Sequence, residues 1–191
     1  LAQLPEGPGS SGPRRGLAAV TGGGAWYDAI GDNEALAPDL QQMRAATEDT
    51  GRFTVAITLD TNLLVEGDFV ATYVDSDGNA ATGSAVFGGA DHAVGILGRT
   101  GPDVVGAFRW NGVAFEPAGL PSLESFAAGS TDEVWRIRAS DMGILPGVAV
   151  GLEFATLYEG IYATYFDFAP EPGAPTFRFP AGALSAPPPP P

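Results

Sequence analysis

The segment with the most concentrated polar chemistry runs from Asp75 to Gly83 and reads Asp-Ser-Asp-Gly-Asn-Ala-Ala-Thr-Gly. Asp75, Asp77 and Asn79 place side-chain oxygens at alternate positions of a glycine-bearing turn, where they can converge on one cation. Calcium takes about six to eight oxygen ligands, so this turn is a candidate site. The alternative is an ordinary turn whose side chains hydrogen-bond to the local backbone. The spacing differs from that of an EF-hand loop. The glycine is the fourth residue instead of the sixth, and the twelfth residue is Val86 instead of a glutamate.

Other acidic residues are placed to join this turn. Asp91 opens the strand that follows it, which would return to the same end of a sheet. Asp32 precedes the first core strand, and Asp167 and Glu171 occur late in the chain. We expect Asp91 and Asp32 to approach the turn at 75–83, so that one bound cation would connect these loops.

The composition limits the chemistry that the chain can perform. Its 191 residues include 23 Asp and Glu against 9 Lys and Arg, a net charge of −14, with one histidine and no cysteine. Nucleic-acid binding is excluded because it depends on basic residues that neutralise phosphates. The absence of cysteine excludes Cys/His zinc sites, iron–sulfur clusters, thiol nucleophiles and disulfides. A metal site built from oxygen favours a hard cation such as calcium.

The elements that must position these residues are strands. Phe53, Val55, Ile57 and Leu59 alternate with smaller or polar residues, which is the period of a half-buried strand. Strand character also occurs from Leu40 onward and at 69–74, 93–97, 104–110, 134–137, 148–157, 161–168 and 176–179. About nine strands separated by Gly and Pro predict an all-β fold, an antiparallel two-sheet β-sandwich of jelly-roll type.

Two local features refine this prediction. Asn111-Gly112 between two strand segments predicts a hairpin with a two-residue turn, because both positions tolerate positive φ. The segment 35–47 is a candidate helix, but Pro38 interrupts its start and its apolar spacing is poor. We therefore expect a strand from Leu40.

The ends of the chain differ from its centre. Residues 1–24 are rich in Gly, Pro and Ser, and residues 181–191 end in five prolines, so we expect two irregular arms around a domain at 25–180. Such arms are candidate contacts for protein partners or like subunits. No run of about 18 apolar residues occurs, so no membrane span is predicted. A first residue other than methionine favours a processed, secreted or cell-surface protein, with the periplasm as an alternative.

Several motifs in order resemble the DOMON-like, family-9 carbohydrate-binding-module-like β-sandwich domains of secreted bacterial proteins, over residues 27–179. The motifs are Asp-x-x-Gly-Asp at 28–32, Pro-Asp-Leu at 38–40, the 75–83 segment, Gly-Gly-Ala-Asp at 88–91, Arg-Trp-Asn-Gly at 109–112 and Ala-Pro-Glu-x-Gly at 169–173. The resemblance implies a non-catalytic two-sheet module that often binds calcium and holds sugars, haem or other proteins. It implies Asp75, Asp77, Asn79 and Asp91 as metal ligands, with Asp32 and Asp167 as further candidates.

Aromatic residues and the single histidine offer other binding chemistry. Trp26, Tyr27 and Trp110 are candidates for a sugar platform, because sugar rings stack on exposed aromatic faces; the alternative is that they fill the core. Trp26 and Tyr27 follow a glycine run, which favours their exposure. His92 could ligate haem together with Met43 or Met142, or it could be a partly buried strand residue.

The sequence therefore predicts a calcium-stabilised, non-catalytic β-sandwich that serves binding or assembly in a larger extracellular complex or filament. A carbohydrate-binding module and a haem-binding redox domain are the alternatives. No acidic pair is marked as that of a glycosidase, and the glycine runs lack the Lys-Ser/Thr of a phosphate-binding loop.

Overall fold

A computed structural model describes residues 20–29, 31–34, 37–48, 51–60, 68–97, 104–125, 131–159, 164–171 and 174–180. Most of both predicted arms, at 1–19 and 181–191, and residues 161–163 of a predicted strand lie outside these ranges. The described residues form twelve strands and two short 3₁₀ helices, at Ala85–Phe87 and Ala139–Met142. The strands are β1 (Val20–Tyr27), β2 (Leu40–Glu48), β3 (Arg52–Leu59), β4 (Asp68–Asp75), β5 (His92–Leu97), β6 (Val104–Trp110), β7 (Phe115–Pro117), β8 (Glu124–Ser125), β9 (Asp132–Arg138), β10 (Ala149–Glu159), β11 (Thr164–Ala169) and β12 (Phe177–Pro180).

The strands form two antiparallel sheets, which confirms the predicted sandwich. The five-stranded sheet has the order β1-β2-β3-β9-β8. The seven-stranded sheet has the order β11-β10-β4-β5-β6-β7, and β12 also pairs with β10. β11 and β12 lie one after the other along the same edge of β10, since they pair with residues 154–159 and 149–152. The chain therefore changes sheets after β3, β7 and β9.

Alternating apolar side chains fill the space between the sheets. On β3, Phe53, Val55, Ile57 and Leu59 are all buried, as the alternation predicts, but Thr54 and Ala56 between them are buried as well, so the strand is more than half-buried. Trp135 on β9 is fully buried, and its ring meets that of Phe53 at 5.7 Å between centroids. Its indole nitrogen donates a hydrogen bond of 3.2 Å to Thr72 Oγ1 on β4 in the facing sheet. One polar contact thus joins the sheets inside the apolar core.

The strand count is larger than the predicted nine because the additional strands carry weak sequence signals. β7 has three residues and β8 has two, and β1 contains the run Gly22-Gly23-Gly24. The sequence assigned residues 20–24 to the N-terminal arm, but they pair with β2 through the backbone. Backbone pairing needs no side chain, so a glycine run can join a sheet beside a regular neighbour.

The hairpin between β6 and β7 was predicted in the wrong register. Trp110 pairs with Phe115, so four residues lie between the paired strands instead of two. The Asn111 side chain accepts hydrogen bonds from the backbone nitrogens of Val113 and Ala114, at 2.8 and 2.9 Å. These bonds draw the chain around the asparagine side chain and displace the turn. The strand expected from Leu40 in place of a helix is confirmed.

In the portion of the chain that is described, no helix is both long and apolar enough to cross a membrane.

Candidate functional site

The turn after β4 brings together three of the residues that the sequence indicated as metal ligands. Asp75 ends β4 and Asp91 directly precedes β5, and these strands are antiparallel neighbours, so both residues lie at one end of the sheet. Asp75, Asp77 and Asp91 each offer a carboxylate oxygen, and these oxygens lie within 4.8 Å of one another. We call this group the Asp75 turn.

Hydrogen bonds within the protein already use most of these oxygens. The backbone nitrogen of Asn79 donates to Asp75 Oδ1 at 3.0 Å and to Asp77 Oδ1 at 2.8 Å. Asp91 Oδ2 accepts from the backbone nitrogen and the hydroxyl of Ser76, at 3.1 and 3.0 Å. The Asn79 side chain accepts from the backbone nitrogen of Ala81 at 3.2 Å. The turn is therefore held by the local bonds that an Asx-rich turn makes.

A positive charge from a distant strand also reaches this turn. Arg178 Nη1 on β12 lies 3.0 Å from Asp75 Oδ2, and Asp75 is 1% exposed. Burial raises the pKa of Asp75, and the Arg178 guanidinium opposes that rise. The carboxylate therefore has an internal counter-ion, and calcium binding at this turn stays a prediction.

A second acidic group lies elsewhere and includes Asp32. Oxygens of Asp32, Asp39 and Asp167 lie within 4.8 Å of one another, and those of Asp28, Asp32 and Glu171 do the same. We call these five residues the Asp39 cluster.

The two acidic groups lie towards opposite ends of β10. Asp167 pairs with Thr156 of β10, whereas Asp75 pairs with Gly151. Five residues of strand separate these positions by about 17 Å. The expectation that Asp32 joins the Asp75 turn is therefore not met, because β11 and the residues before β2 hold its neighbours at the other end.

The Asp39 cluster contains buried carboxylate oxygens without partners. Asp39 is 1% exposed and Asp167 is 4% exposed. Gly31 donates its backbone N–H to Asp39 Oδ2 at 3.0 Å, but Asp39 Oδ1 and Asp28 Oδ2 are buried and have no hydrogen-bond partner among the described residues. Leu40 donates to Asp167 Oδ2 at 2.7 Å.

Burial and mutual repulsion disfavour ionisation in the Asp39 cluster. Burial raises the pKa of Asp28 to about 7, and the charges of Asp167, Asp32 and Glu171 add to the rise. Burial raises the pKa of Asp167 to about 6, again with help from neighbouring carboxylates. Burial also raises the pKa of Asp39. Among the described residues, no arginine forms an ion pair with these five side chains.

An open cleft of about 630 Å³ lies beside the Asp75 turn. Asp77 and Asp91 line it together with Arg109 and Trp110 from the end of β6. The Trp110 ring packs against Phe115 of β7 at 5.2 Å between centroids, so the neighbouring strand holds it in place. Three sequence-predicted residues, Asp77, Asp91 and Trp110, thus meet at one cleft.

The other predicted platform residues lie elsewhere. The Trp26 ring stacks on Phe177 at 5.2 Å and packs against the core, and its edge covers Gly24. Tyr27 is 73% exposed but does not line the cleft. Of the pair that the glycine run was expected to expose, only Tyr27 is open to solvent.

His92 also lines the cleft. It is 6% exposed, and within the described ranges its Nδ1 has no hydrogen-bond partner. Burial lowers its pKa, the Asp91 charge raises it and the Arg109 charge lowers it further. Met43 and Met142 are both fully buried in the core, and of the two only Met142 lines the cleft, so only Met142 is placed as a partner for the haem alternative.

Sequence reasoning did not identify Asp28 and Asp39 as ligands or Arg178 as a counter-ion. A usable signal existed for Asp39, which directly precedes a buried strand in the Pro38-Asp39-Leu40 motif. Arg178 carried none, because 103 residues separate it from Asp75.

Comparisons with protein-family models, with curated proteins and with solved structures return no match for this chain. The resemblance to DOMON-like and family-9 carbohydrate-binding-module-like domains therefore stays a prediction.

Proposed function

We propose that this protein is a non-catalytic binding module whose cleft beside the Asp75 turn takes a carbohydrate. The observation that carries the proposal is the convergence of Trp110, Arg109 and the carboxylates of Asp77 and Asp91 on one open cleft. An aromatic face and both kinds of hydrogen-bonding group are what recognition of a sugar ring requires.

The charges of the cleft indicate a class of sugar. Asp77 and Asp91 accept hydrogen bonds from hydroxyl groups, and Arg109 donates to ring or hydroxyl oxygens. Three carboxylates, those of Asp77, Asp91 and Asp141, line the cleft against one guanidinium, and the chain has a net charge of −14, so the cleft repels anionic polymers. We therefore expect neutral glycans to bind and uronic-acid polymers to be rejected.

The test compares the loss of an aromatic ring inside the cleft with the loss of one outside it. Affinity electrophoresis and calorimetry with neutral polysaccharides are expected to show binding that Trp110→Ala weakens at least tenfold. Tyr27→Ala removes an exposed ring outside the cleft and should leave the affinity unchanged. Thermal midpoints establish that both variants fold.

Two results would overturn the proposal. One is that the unmodified protein binds none of the neutral polysaccharides, and the other is that the Trp110→Ala variant binds them with the same affinity as the unmodified protein. A Soret band in the purified protein would instead favour the haem alternative, for which His92 and Met142 line the same cleft. Assembly through the terminal arms, and a secreted or cell-surface location, stay predictions, because most of both arms lies outside the described residues.

A further inference from the structure

We propose that the Asp39 cluster is a calcium site that joins the two sheets at the end of the sandwich away from the cleft. Its residues differ from those of the cleft, so the inference stands independently of carbohydrate binding.

The spacing of the carboxylates fits coordination of one ion. Calcium–oxygen distances are about 2.3–2.6 Å, so two ligand atoms of the same ion lie at most about 5 Å apart. The oxygens of Asp32, Asp39 and Asp167 lie within 4.8 Å of one another and meet this limit, and so do those of Asp28, Asp32 and Glu171. Asp32 belongs to both sets, so each set of three can hold an ion and the two sets adjoin at Asp32.

Buried oxygens without partners point to a missing ligand. Asp39 Oδ1 and Asp28 Oδ2 are buried and accept no hydrogen bond from the part of the chain that the structure describes. An unpaired buried carboxylate is costly, and native proteins satisfy such groups with a donor or a metal. A cation bound in the cluster would provide the partner that such an oxygen lacks and would reduce the repulsion between the carboxylates.

The Asp75 turn provides an internal comparison. There, Arg178 lies 3.0 Å from the buried Asp75 carboxylate and supplies the positive charge from within the chain. In the Asp39 cluster, the nearest described partners of the buried residues are backbone N–H groups and further carboxylates, including Asp60, which accepts from the Asp39 nitrogen at 3.1 Å. The protein therefore neutralises one acidic group itself and leaves the other to a cation.

The donor set indicates which cation binds. Every side chain of the cluster is a carboxylate, which suits hard cations, and no histidine or cysteine is present in it. Asp32 and Glu171 are exposed, which leaves room for water ligands. An irregular, carboxylate-rich set drawn from separate segments fits the flexible geometry of calcium better than the strict octahedron of magnesium.

The position of the cluster gives the ion a structural role. Asp28 follows β1 and Asp39 precedes β2 in the five-stranded sheet, whereas Asp167 lies on β11 of the seven-stranded sheet. Leu40 of β2 already donates to Asp167 across this boundary. The hydroxyl of Thr156 on β10 also donates to the Pro38 carbonyl there, and a bound ion would add a further link between the sheets at the same place.

Calorimetry of the chelator-treated full chain with calcium alone tests the site. We expect saturable binding and a higher thermal midpoint with calcium, both abolished or weakened at least tenfold by Asp39→Asn. The matched control Asp77→Asn, in the Asp75 turn, should retain both effects. Without calcium, Asp39→Asn should be at least as stable as the unmodified protein, because it removes one of the repelling charges.

Several outcomes would contradict the site. The first is that the unmodified protein shows no saturable calcium binding, and the second is that magnesium binds and raises the thermal midpoint as much as calcium does. The third is that Asp77→Asn abolishes calcium binding and Asp39→Asn does not, which would place the site at the Asp75 turn. If Asp39→Asn does not fold, Asp32→Asn at the exposed rim gives the same comparison, and unchanged calcium affinity in that variant would refute the proposal.

Discussion

Glu153 on β10 allows a quantitative test of how partial burial in the seven-stranded sheet changes the pKa of a carboxyl group and the stability of the protein. It pairs across the strands with Tyr73, whose ring stacks on Phe87 at 3.7 Å between centroids. Burial raises the pKa of Glu153 from 4.5 to about 7. Burial, followed by the charge of Glu153, raises the pKa of Tyr73 to about 12. The folded protein therefore favours the neutral form of this carboxyl group.

The sign and size of the effect on stability follow from the two pKa values. Because the folded-state pKa is raised, the contribution of Glu153 to stability is complete below pH 4.5 and is lost as the pH rises through about 7. The difference corresponds to roughly 3 kcal/mol for a fully buried group. Glu153 is only partly buried, so solvent screening lowers this to ~1–2 kcal/mol.

Glu153→Gln removes the ionisable group and keeps its shape, so the variant should gain that ~1–2 kcal/mol at pH 8.5 and clearly less at pH 5.5. Urea unfolding at both values measures the gain, which corresponds to a rise of roughly 2–8 °C in thermal midpoint at the higher pH. A chelator is present throughout, so that no bound cation changes with pH.

Glu116→Gln is the matched control, because Glu116 is an exposed carboxylate on β7 of the same sheet. Its effect should stay within about 0.5 kcal/mol at both pH values. If Glu153→Gln destabilised the protein equally at pH 5.5 and 8.5, the reasoning from burial would be refuted.

Two further substitutions test the packing between the sheets and around the cleft. Thr72→Val removes the acceptor of the Trp135 indole and leaves a buried N–H unpaired, so urea unfolding followed by tryptophan fluorescence should show a loss of ~1–3 kcal/mol. An unchanged midpoint would mean that this bond contributes nothing. Gly83→Ala places a methyl group against the backbone oxygens of Gly89 and Ala90 and should cost more than ~2 kcal/mol, measured in the same way. Gly119→Ala meets no neighbour and should be neutral, and equal losses in the two glycine variants would contradict the close approach at Gly83.

The all-β sandwich could be predicted because its signal is local. The alternation from Phe53 to Leu59 is a property of neighbouring residues, and it identifies the buried face before any partner strand is known. The same holds for the Asp75 turn, whose aspartates and asparagine shape the backbone within a few residues. β1 could not be predicted in this way. Its glycine run has no alternating side chains, and it forms a strand because its backbone pairs with that of β2.

The functional arrangement depends on strand order, which local patterns do not contain. Asp28, Asp39 and Asp167 carry the same carboxylate as Asp75, but only the placement of β11 beside β10 gathers them at one end of the sandwich. Trp26 and Trp110 are the same residue type but have different environments. Trp26 packs against Phe177 of β12 at the core, whereas Trp110 on β6 packs against Phe115 of β7 at the cleft. The sequence alone thus determined the strands, the acidic turn and the kinds of chemistry available. The tertiary structure decided which charges meet a counter-ion and which do not, because contacts between distant residues follow from the pairing of strands.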